Sequence, residues 1–238
     1  ADVKVNTNTE KYASWNWKVN GGTTASNDDG DKTSTIQVDA DRGISIVQYT
    51  GNETAETIGH GLGAAPDFIM VRCRDFSRDW ACQLVPVDNE KSYILNGTGS
   101  DDSHGYWNDT SPTSSVFSVG VGTETNKDTK AFVAYCFANK EGYSRFGIYE
   151  GNGDADGTFV YTGFRPAFVL VKATTQSESW QIFDSARDTY NVVEKSLQPD
   201  NVYTEGSGST RYVDFLSNGF KWRATWEATN RSGYPYIF

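Results

Sequence analysis

Apolar residues occur in short runs along the chain, separated by segments rich in Gly, Asn, Asp, Ser and Thr. Aromatic and β-branched residues dominate the runs and suit pleated strands, whereas Gly, Asn and Asp supply turns. No segment keeps apolar residues at helical spacing over three turns, and the nearest, 184–197, predicts one short helix at most. The pattern therefore predicts an all-β protein.

The chain resembles itself at an offset of 100 residues. Matching segments are 49–52 with 149–152, 66–72 with 166–172, and Trp80 with Trp180. Beyond these the spacing drifts, so that 116–117 resembles 213–215, and 132–134 resembles 236–238. We predict two related β-sandwich or jelly-roll-like units, repeat 1 (43–142) and repeat 2 (143–238), packed closely or sharing sheets.

One run in each repeat is continuously apolar rather than alternating, at 68–71 and at 168–171. A proline two residues before it suits the start of a strand, where a missing N–H lies outside the ladder. Continuous apolar character predicts a central strand that is buried on both faces.

Residues 1–42 are predicted to be an N-terminal strand followed by a linker. The segment 12–17 has the aromatic pattern of 132–137, which favours the last strand of a preceding repeat, and 20–31 has the composition of a loop. The chain stops at 238, inside the corresponding strand of repeat 2. We therefore expect repeat 2 to be truncated and the chain to be part of a longer protein.

The formal net charge is −10. This charge disfavours nucleic acid and anionic lipid as partners, and no apolar run reaches the length of a membrane span. Cys73 and Cys82 are placed to face each other across a hairpin centred near Ser77, which allows a disulfide. Cys136 lies in an apolar run and is predicted to be a buried small hydrophobe.

Several segments resemble an uncharacterised domain that is widespread in tailed phages, often beside laminin-G-like lectin domains in tail-fibre or virion proteins. The matching segments are 49–52, 60–66, 107–117, 134–138, 142–157, 161–167 and 213–221. Trp222 and Glu53 depart from the family pattern, which has an aliphatic residue and a glycine there. The resemblance implies a virion-associated, extracellular location and implies no particular chemistry.

Asn152, Asp154 and Asp156 place oxygen-bearing side chains at every second residue, a spacing that suits a Ca²⁺ loop. The twelfth position of such a loop is Gly163 rather than a carboxylate, and ordinary turn chemistry explains the three residues equally well. We expect no cofactor, with Ca²⁺ as the alternative.

Motifs for nucleophilic, metal-dependent or phosphate chemistry are missing from the sequence. A glycosidase needs two opposed carboxylates, and the pairs Asp154/Asp156 and Asp184/Asp188 are close in sequence only. His60 precedes a Gly-rich turn and is predicted to cap a loop. We therefore predict that the protein is not an enzyme.

Glycan binding uses aromatic rings that stack on sugars, together with planar polar groups that bind hydroxyls. The candidate residues are Tyr106, Trp107, Asn108, Asp109, Trp222 and Trp226. Trp107 is equally compatible with a structural plug, and Trp222 and Trp226 share one face of a strand that is also compatible with the core. Trp80 and Trp180 recur at one repeat position, which favours a core role; the alternative is a pair of equivalent sites.

These features favour an adhesion module of a phage fibre or appendage that binds a host-surface or capsular glycan. Such modules commonly form homo-oligomers, which increases avidity. The alternative is a structural virion or capsid-decoration module that contacts only other virion proteins. A third possibility is an enzyme that degrades surface polysaccharide.

Overall fold

The structure is a computed structural model that describes residues 5–19, 22–87 and 89–238. It confirms an all-β fold of two sandwich-like repeats. Its helices are single turns, and no helix in the described ranges has the length and apolar character needed to cross a bilayer.

Repeat 1 is a sandwich of a large and a small antiparallel sheet. Residues 25–39, which the sequence assigned to an N-terminal linker, form the first two strands of the large sheet and so extend repeat 1 beyond its predicted start at 43. Its elements are β1 (Ala25–Asn27), β2 (Ser34–Asp39), β3 (Ile44–Thr50), β4 (Glu56–Gly59), β5 (Phe68–Cys73), β6 (Ala81–Leu84), β7 (Tyr93–Ile94), β8 (Val116–Val119), α1 (Thr123–Asn126) and β9 (Ala131–Phe137). The large sheet has the order β1-β2-β3-β9-β5-β6-β7, and β4 pairs with β8 in the small one. Alternate residues of the facing strands, such as Val47, Ile58, Val71 and Phe117, form the core between the sheets.

Repeat 2 has the same two-layer arrangement. Its elements are β10 (Ile148–Glu150), β11 (Phe159–Tyr161), β12 (Phe168–Ala173), β13 (Gln181–Asp184), a 3₁₀ helix (Ser209–Arg211), β14 (Val213–Leu216), β15 (Gly219–Trp222), α2 (Glu227–Asn230) and β16 (Pro235–Ile237). One sheet has the order β10-β16-β12-β13 and the other β11-β15-β14. Each sheet is thus built from one repeat, and the repeats pack together without sharing a sheet.

A tyrosine and a short helix join the two layers in the same way in both repeats. The hydroxyl of Tyr49 donates to the Thr125 carbonyl at 2.6 Å, and that of Tyr149 donates to the Thr229 carbonyl at 2.6 Å. Tyr49 stacks on Phe132 at 5.3 Å between ring centroids. Tyr149 stacks on the counterpart of Phe132, Tyr236, at 5.0 Å.

The Gly-Asn of the repeated motif is explained by a buried asparagine in each short helix. Asn126 accepts a hydrogen bond from the Asn52 N–H at 2.9 Å, and Asn230 accepts one from the Asn152 N–H at 3.1 Å. The preceding glycine lets the backbone approach this helix, since a Cβ on Gly51 would lie 2.4 Å from the Lys127 carbonyl oxygen.

The two repeats pack through the outer faces of their large sheets. Phe68, Leu84 and Tyr93 of repeat 1 form one buried cluster with Trp180 and Ile237 of repeat 2. The start of β5, at Phe68 and Met70, is therefore enclosed by its own core on one face and by repeat 2 on the other. This arrangement confirms that the apolar run at 68–71 is buried on both faces.

Four details of the sequence interpretation are corrected. The segment 12–17 is not a strand, and its indoles pack between the repeats instead. The predicted loop at 20–31 contains β1, although residues 20–21 lie outside the described part of the chain. Residues 184–197 are not helical, because Val193 and Leu197 bridge to Val213 and Ile182. The strand equivalent to β8 is β15 rather than β14, since β8 pairs with β4 and β15 pairs with β11.

All three cysteines are buried and free. In the β5–β6 ladder Cys82 lies opposite Met70 rather than Cys73. Cys73 belongs to the core of repeat 1 and Cys82 to the cluster between the repeats, so the two thiols lie on opposite faces of the sheet. No disulfide joins them, whereas the buried position predicted for Cys136 is confirmed.

Candidate functional site

Two of the proposed glycan-stacking indoles lie in the interior. Trp107 is 1% exposed in the core of repeat 1, and Trp222 is 0% exposed in the core of repeat 2. A sugar needs an accessible ring face, so both residues are corrected from binding candidates to core residues. The apolar character of the adjoining strands, rather than the polar loop around Trp107, decides its position.

The other candidates are dispersed. The ring of Tyr106 is largely buried and stacks on His104 at 4.8 Å. Asn108 and Asp109 are exposed, but both have positive φ and form a tight turn. Trp226 is half-buried on repeat 2, 4.6 Å from the Arg211 guanidinium.

The side chains proposed for calcium form turns and an ion pair. Asn152 Oδ1 accepts the Asp154 N–H at 3.0 Å, and Asp154 Oδ1 accepts the Asp156 N–H at 2.7 Å. Asp156 pairs with Lys221 at 2.7 Å, and that contact lowers the pKa of its carboxyl. Within the residues that the structure covers, no group of three or more His, Cys, Asp and Glu is placed to hold a metal.

The other proposed carboxylates also have local partners. Asp184 accepts hydrogen bonds from Arg187 and Trp15, and Asp188 accepts the N–H groups of 194 and 195. His60 is fully buried and its Nδ1 accepts the Leu62 N–H at 3.2 Å, which confirms the predicted loop cap. Burial lowers the pKa of this imidazole.

An open band of sheet in repeat 1 combines aromatic and planar polar side chains. In the ladders, Gln48 and Arg72 both lie opposite Val133, which places the three side chains in one row. Trp80 extends that row, because it precedes Ala81, the partner of Val71. Tyr135 lies in the next row, with its ring centroid 6.0 Å from that of Trp80. We call these five residues the Trp80 face.

Cationic groups surround the Trp80 face. The Arg72 guanidinium lies 5.7 Å from the Trp80 ring centroid, within the range of a cation–π contact. Arg74 donates to the Gln48 side-chain oxygen at 3.2 Å. An open groove follows the hairpin from Arg72 past Arg74 to Phe76. The groove and the flat row together offer a ring, a planar amide and two guanidinium groups to one ligand.

The corresponding face of repeat 2 is covered. Trp180 is 1% exposed and its indole N–H donates to the Ile94 carbonyl of repeat 1 at 2.9 Å. Lys172, the counterpart of Arg72, is fully buried and donates to three carbonyls, one of them at Thr98. Burial lowers the pKa of its ammonium group to about 8. The pair of equivalent sites considered from the sequence is therefore reduced to one accessible face.

A mainly apolar cavity of about 460 Å³ lies between the repeats. Trp15 and Trp17 line it and make edge contacts with Phe168 at 5.7 and 5.8 Å. Its walls are the packed faces of the two repeats, so the cavity lies at their junction.

The family model that matches the chain covers residues 1–238 and is described as "Domain of unknown function (DUF7483)". No curated protein and no solved structure matches the chain.

Proposed function

We propose that this chain, which belongs to the DUF7483 family, is an adhesion module of a phage fibre or appendage that binds a surface glycan through the Trp80 face. The observation that carries the proposal is the open row of Gln48, Arg72 and Trp80 flanked by Tyr135. Aromatic rings stack on the C–H faces of sugars, and amide and guanidinium groups bind hydroxyls. The virion context rests on the sequence resemblance to tailed-phage domains.

The rigidity of this face supports a binding role. Its side chains project from adjacent strands of the large sheet, and the cation–π contact and the Arg74–Gln48 hydrogen bond hold them in place. Side chains that are already ordered lose less conformational entropy when a ligand binds. A shallow face with one or two stacking rings suits weak single-site binding that an oligomer strengthens through avidity.

The test is a broad glycan array probed with the purified chain and with two single-site variants. We expect wild type to bind a related set of glycans and Trp80→Ala to lose that binding. Trp226→Ala is the matched control, because Trp226 is half-buried beside an arginine on repeat 2. Loss of binding in Trp226→Ala, with binding retained in Trp80→Ala, would move the site to repeat 2. If the folded wild-type chain binds no glycan on the array, the proposal is rejected.

A structural virion role is the second candidate, and an open sheet edge favours it. In repeat 1, β2 pairs with the outer side of β3. The strand of repeat 2 that is equivalent to β3, β10, is an edge of its sheet and carries Ile148 at 55% exposure. An unpaired edge can accept a strand from another protein. Sedimentation tests this role: Ile148→Lys should weaken association with the chain itself or with other virion proteins, whereas Trp80→Ala should not.

A further inference from the structure

We infer that the Trp80 face takes an acidic glycan, whose sugars carry carboxylate groups; this inference rests on the proposed function. It adds a charge requirement to the stacking described above. Three observations support it: the pairing state of the arginines, the positions of the nearby carboxylates, and the geometry of Arg72 relative to the ring.

Arg72 of the Trp80 face and the neighbouring Arg74 lack an acidic partner within the described ranges. Ion pairs within 4.0 Å engage Arg42, Arg187, Arg223 and Arg231, but neither Arg72 nor Arg74 has one there. Lys130 lies at the same end of the sheet, where it contacts Phe76, and it also has no acidic partner within the described ranges. In a chain with a net charge of −10, cations without an acidic partner mark the place where an anion is attracted locally.

The nearest carboxylates in sequence have other partners. Asp75 accepts the Ala131 N–H at 3.2 Å, and Asp79 accepts the Asn96 side-chain amide at 2.8 Å. Glu124 is paired with Arg78 at 3.9 Å. The guanidinium groups of Arg72 and Arg74 are therefore held by a ring and an amide, which leaves their charge for a ligand.

Arg72 is placed to bind a substituent of the sugar that stacks on Trp80. Its guanidinium lies 5.7 Å from the ring centroid, comparable with the width of a sugar ring. A guanidinium presents paired N–H groups that match a carboxylate, and such charge-assisted pairs are about twice as strong as neutral hydrogen bonds. A uronic acid on Trp80 would thus make both contacts at once.

Binding is measured on an array that carries carboxylated microbial polysaccharides and the same polysaccharides after chemical reduction of their carboxyl groups to alcohols. We expect wild type to bind the carboxylated forms at least about tenfold more tightly than the reduced forms, the size of one charge-assisted contact. Arg72→Gln should lose about tenfold on the carboxylated forms only. Arg42→Gln, which removes an exposed arginine paired with Asp39, is the charge-matched control and should leave both unchanged.

The outcomes separate the two levels of the proposal. Equal binding to native and reduced glycans, abolished by Trp80→Ala, overturns the acidic class and leaves the glycan-binding function standing. Full affinity in Arg72→Gln also overturns the acidic class. Absence of binding to every glycan rejects the function itself. Unchanged unfolding midpoints in Arg72→Gln and Arg42→Gln ensure that any loss reports on binding.

Discussion

The two repeats carry the same residue pair, a cation and a tryptophan, in opposite surroundings. In repeat 2, Lys172 and Trp180 are buried against β7 of repeat 1 and the segment that follows it. In repeat 1, Arg72 and Trp80 lie on an open band of sheet. One structural position is therefore buried between the repeats in one copy and partly exposed in the other.

Inside the repeats the pattern is reversed, because the contacts of the repeated Tyr and Asn residues agree between the two copies. The bonds from Tyr49 to Thr125 and from Tyr149 to Thr229 have the same length, and each repeat has a buried asparagine at the end of its short helix. The interior is constrained by its own packing, whereas the outer face depends on what covers it. The Tyr and Asn contacts of the repeated motif are therefore shared by both copies, although each core also holds a tryptophan without a counterpart, Trp107 in repeat 1 and Trp222 in repeat 2.

Replacing Trp180 or Trp80 by alanine should give the largest difference in stability between the two repeats. Trp180→Ala removes a fully buried indole and its hydrogen bond to Ile94, so we expect a loss of about 3–5 kcal/mol in the free energy of unfolding. Trp80→Ala should cost about 1 kcal/mol, as for a partly exposed side chain. Urea titration followed by fluorescence measures both, and equal losses would contradict the contrast between the faces.

Removal of the buried asparagines should give the next largest effect, equal in the two copies. Asn126→Ala and Asn230→Ala each leave buried backbone groups without partners, which costs about 1–3 kcal/mol. Chemical denaturation of each variant checks this. A large effect in one repeat alone would show that the inner layers also differ.

The buried ammonium group predicts a pH dependence specific to repeat 2. Because burial lowers the pKa of Lys172 to about 8, the folded state releases this proton before the unfolded state does. The stability of wild type should therefore rise, relative to Lys172→Met, as the pH increases from about 8 to about 10. The slope is at most about 1.4 kcal/mol per pH unit. Arg72→Met provides the repeat 1 control, with no such slope.

The smallest expected effect is that of calcium. Since Asp156 is paired with Lys221, we expect the unfolding midpoint to stay the same when calcium is added or when EDTA removes it. Differential scanning calorimetry in both buffers is the measurement. A clear rise with calcium that Asp154→Asn abolishes would restore the metal site.

The sequence predicts the packing inside each repeat but not the environment of the outer faces of the sheets. Repetition of the Tyr-x-Gly-Asn motif and of the apolar runs predicts two similar sandwiches, because each copy must fill its own core. Trp80 and Trp180 occupy the same repeat position, so no local signal separates a half-buried indole from one that repeat 1 covers completely. That difference arises only when the repeats pack.

Two sequence predictions, the binding role of Trp107 and the helix at 184–197, are wrong for the same physical reason. Trp107 lies in a polar, Gly-rich stretch, yet its ring completes the core of repeat 1. The segment 184–197 has some helical spacing, but its apolar residues bridge to neighbouring strands. In both cases long-range contacts outweigh the local pattern.

The contacts of the N-terminal segment determine how the molecule would respond to tension. Trp15 touches Phe168 and donates to Asp184, so the residues that precede repeat 1 are fastened to repeat 2. A pull on this end would load repeat 2 before the β1–β2 hairpin of repeat 1. This crossed attachment would therefore transmit force to repeat 2 before repeat 1 is strained.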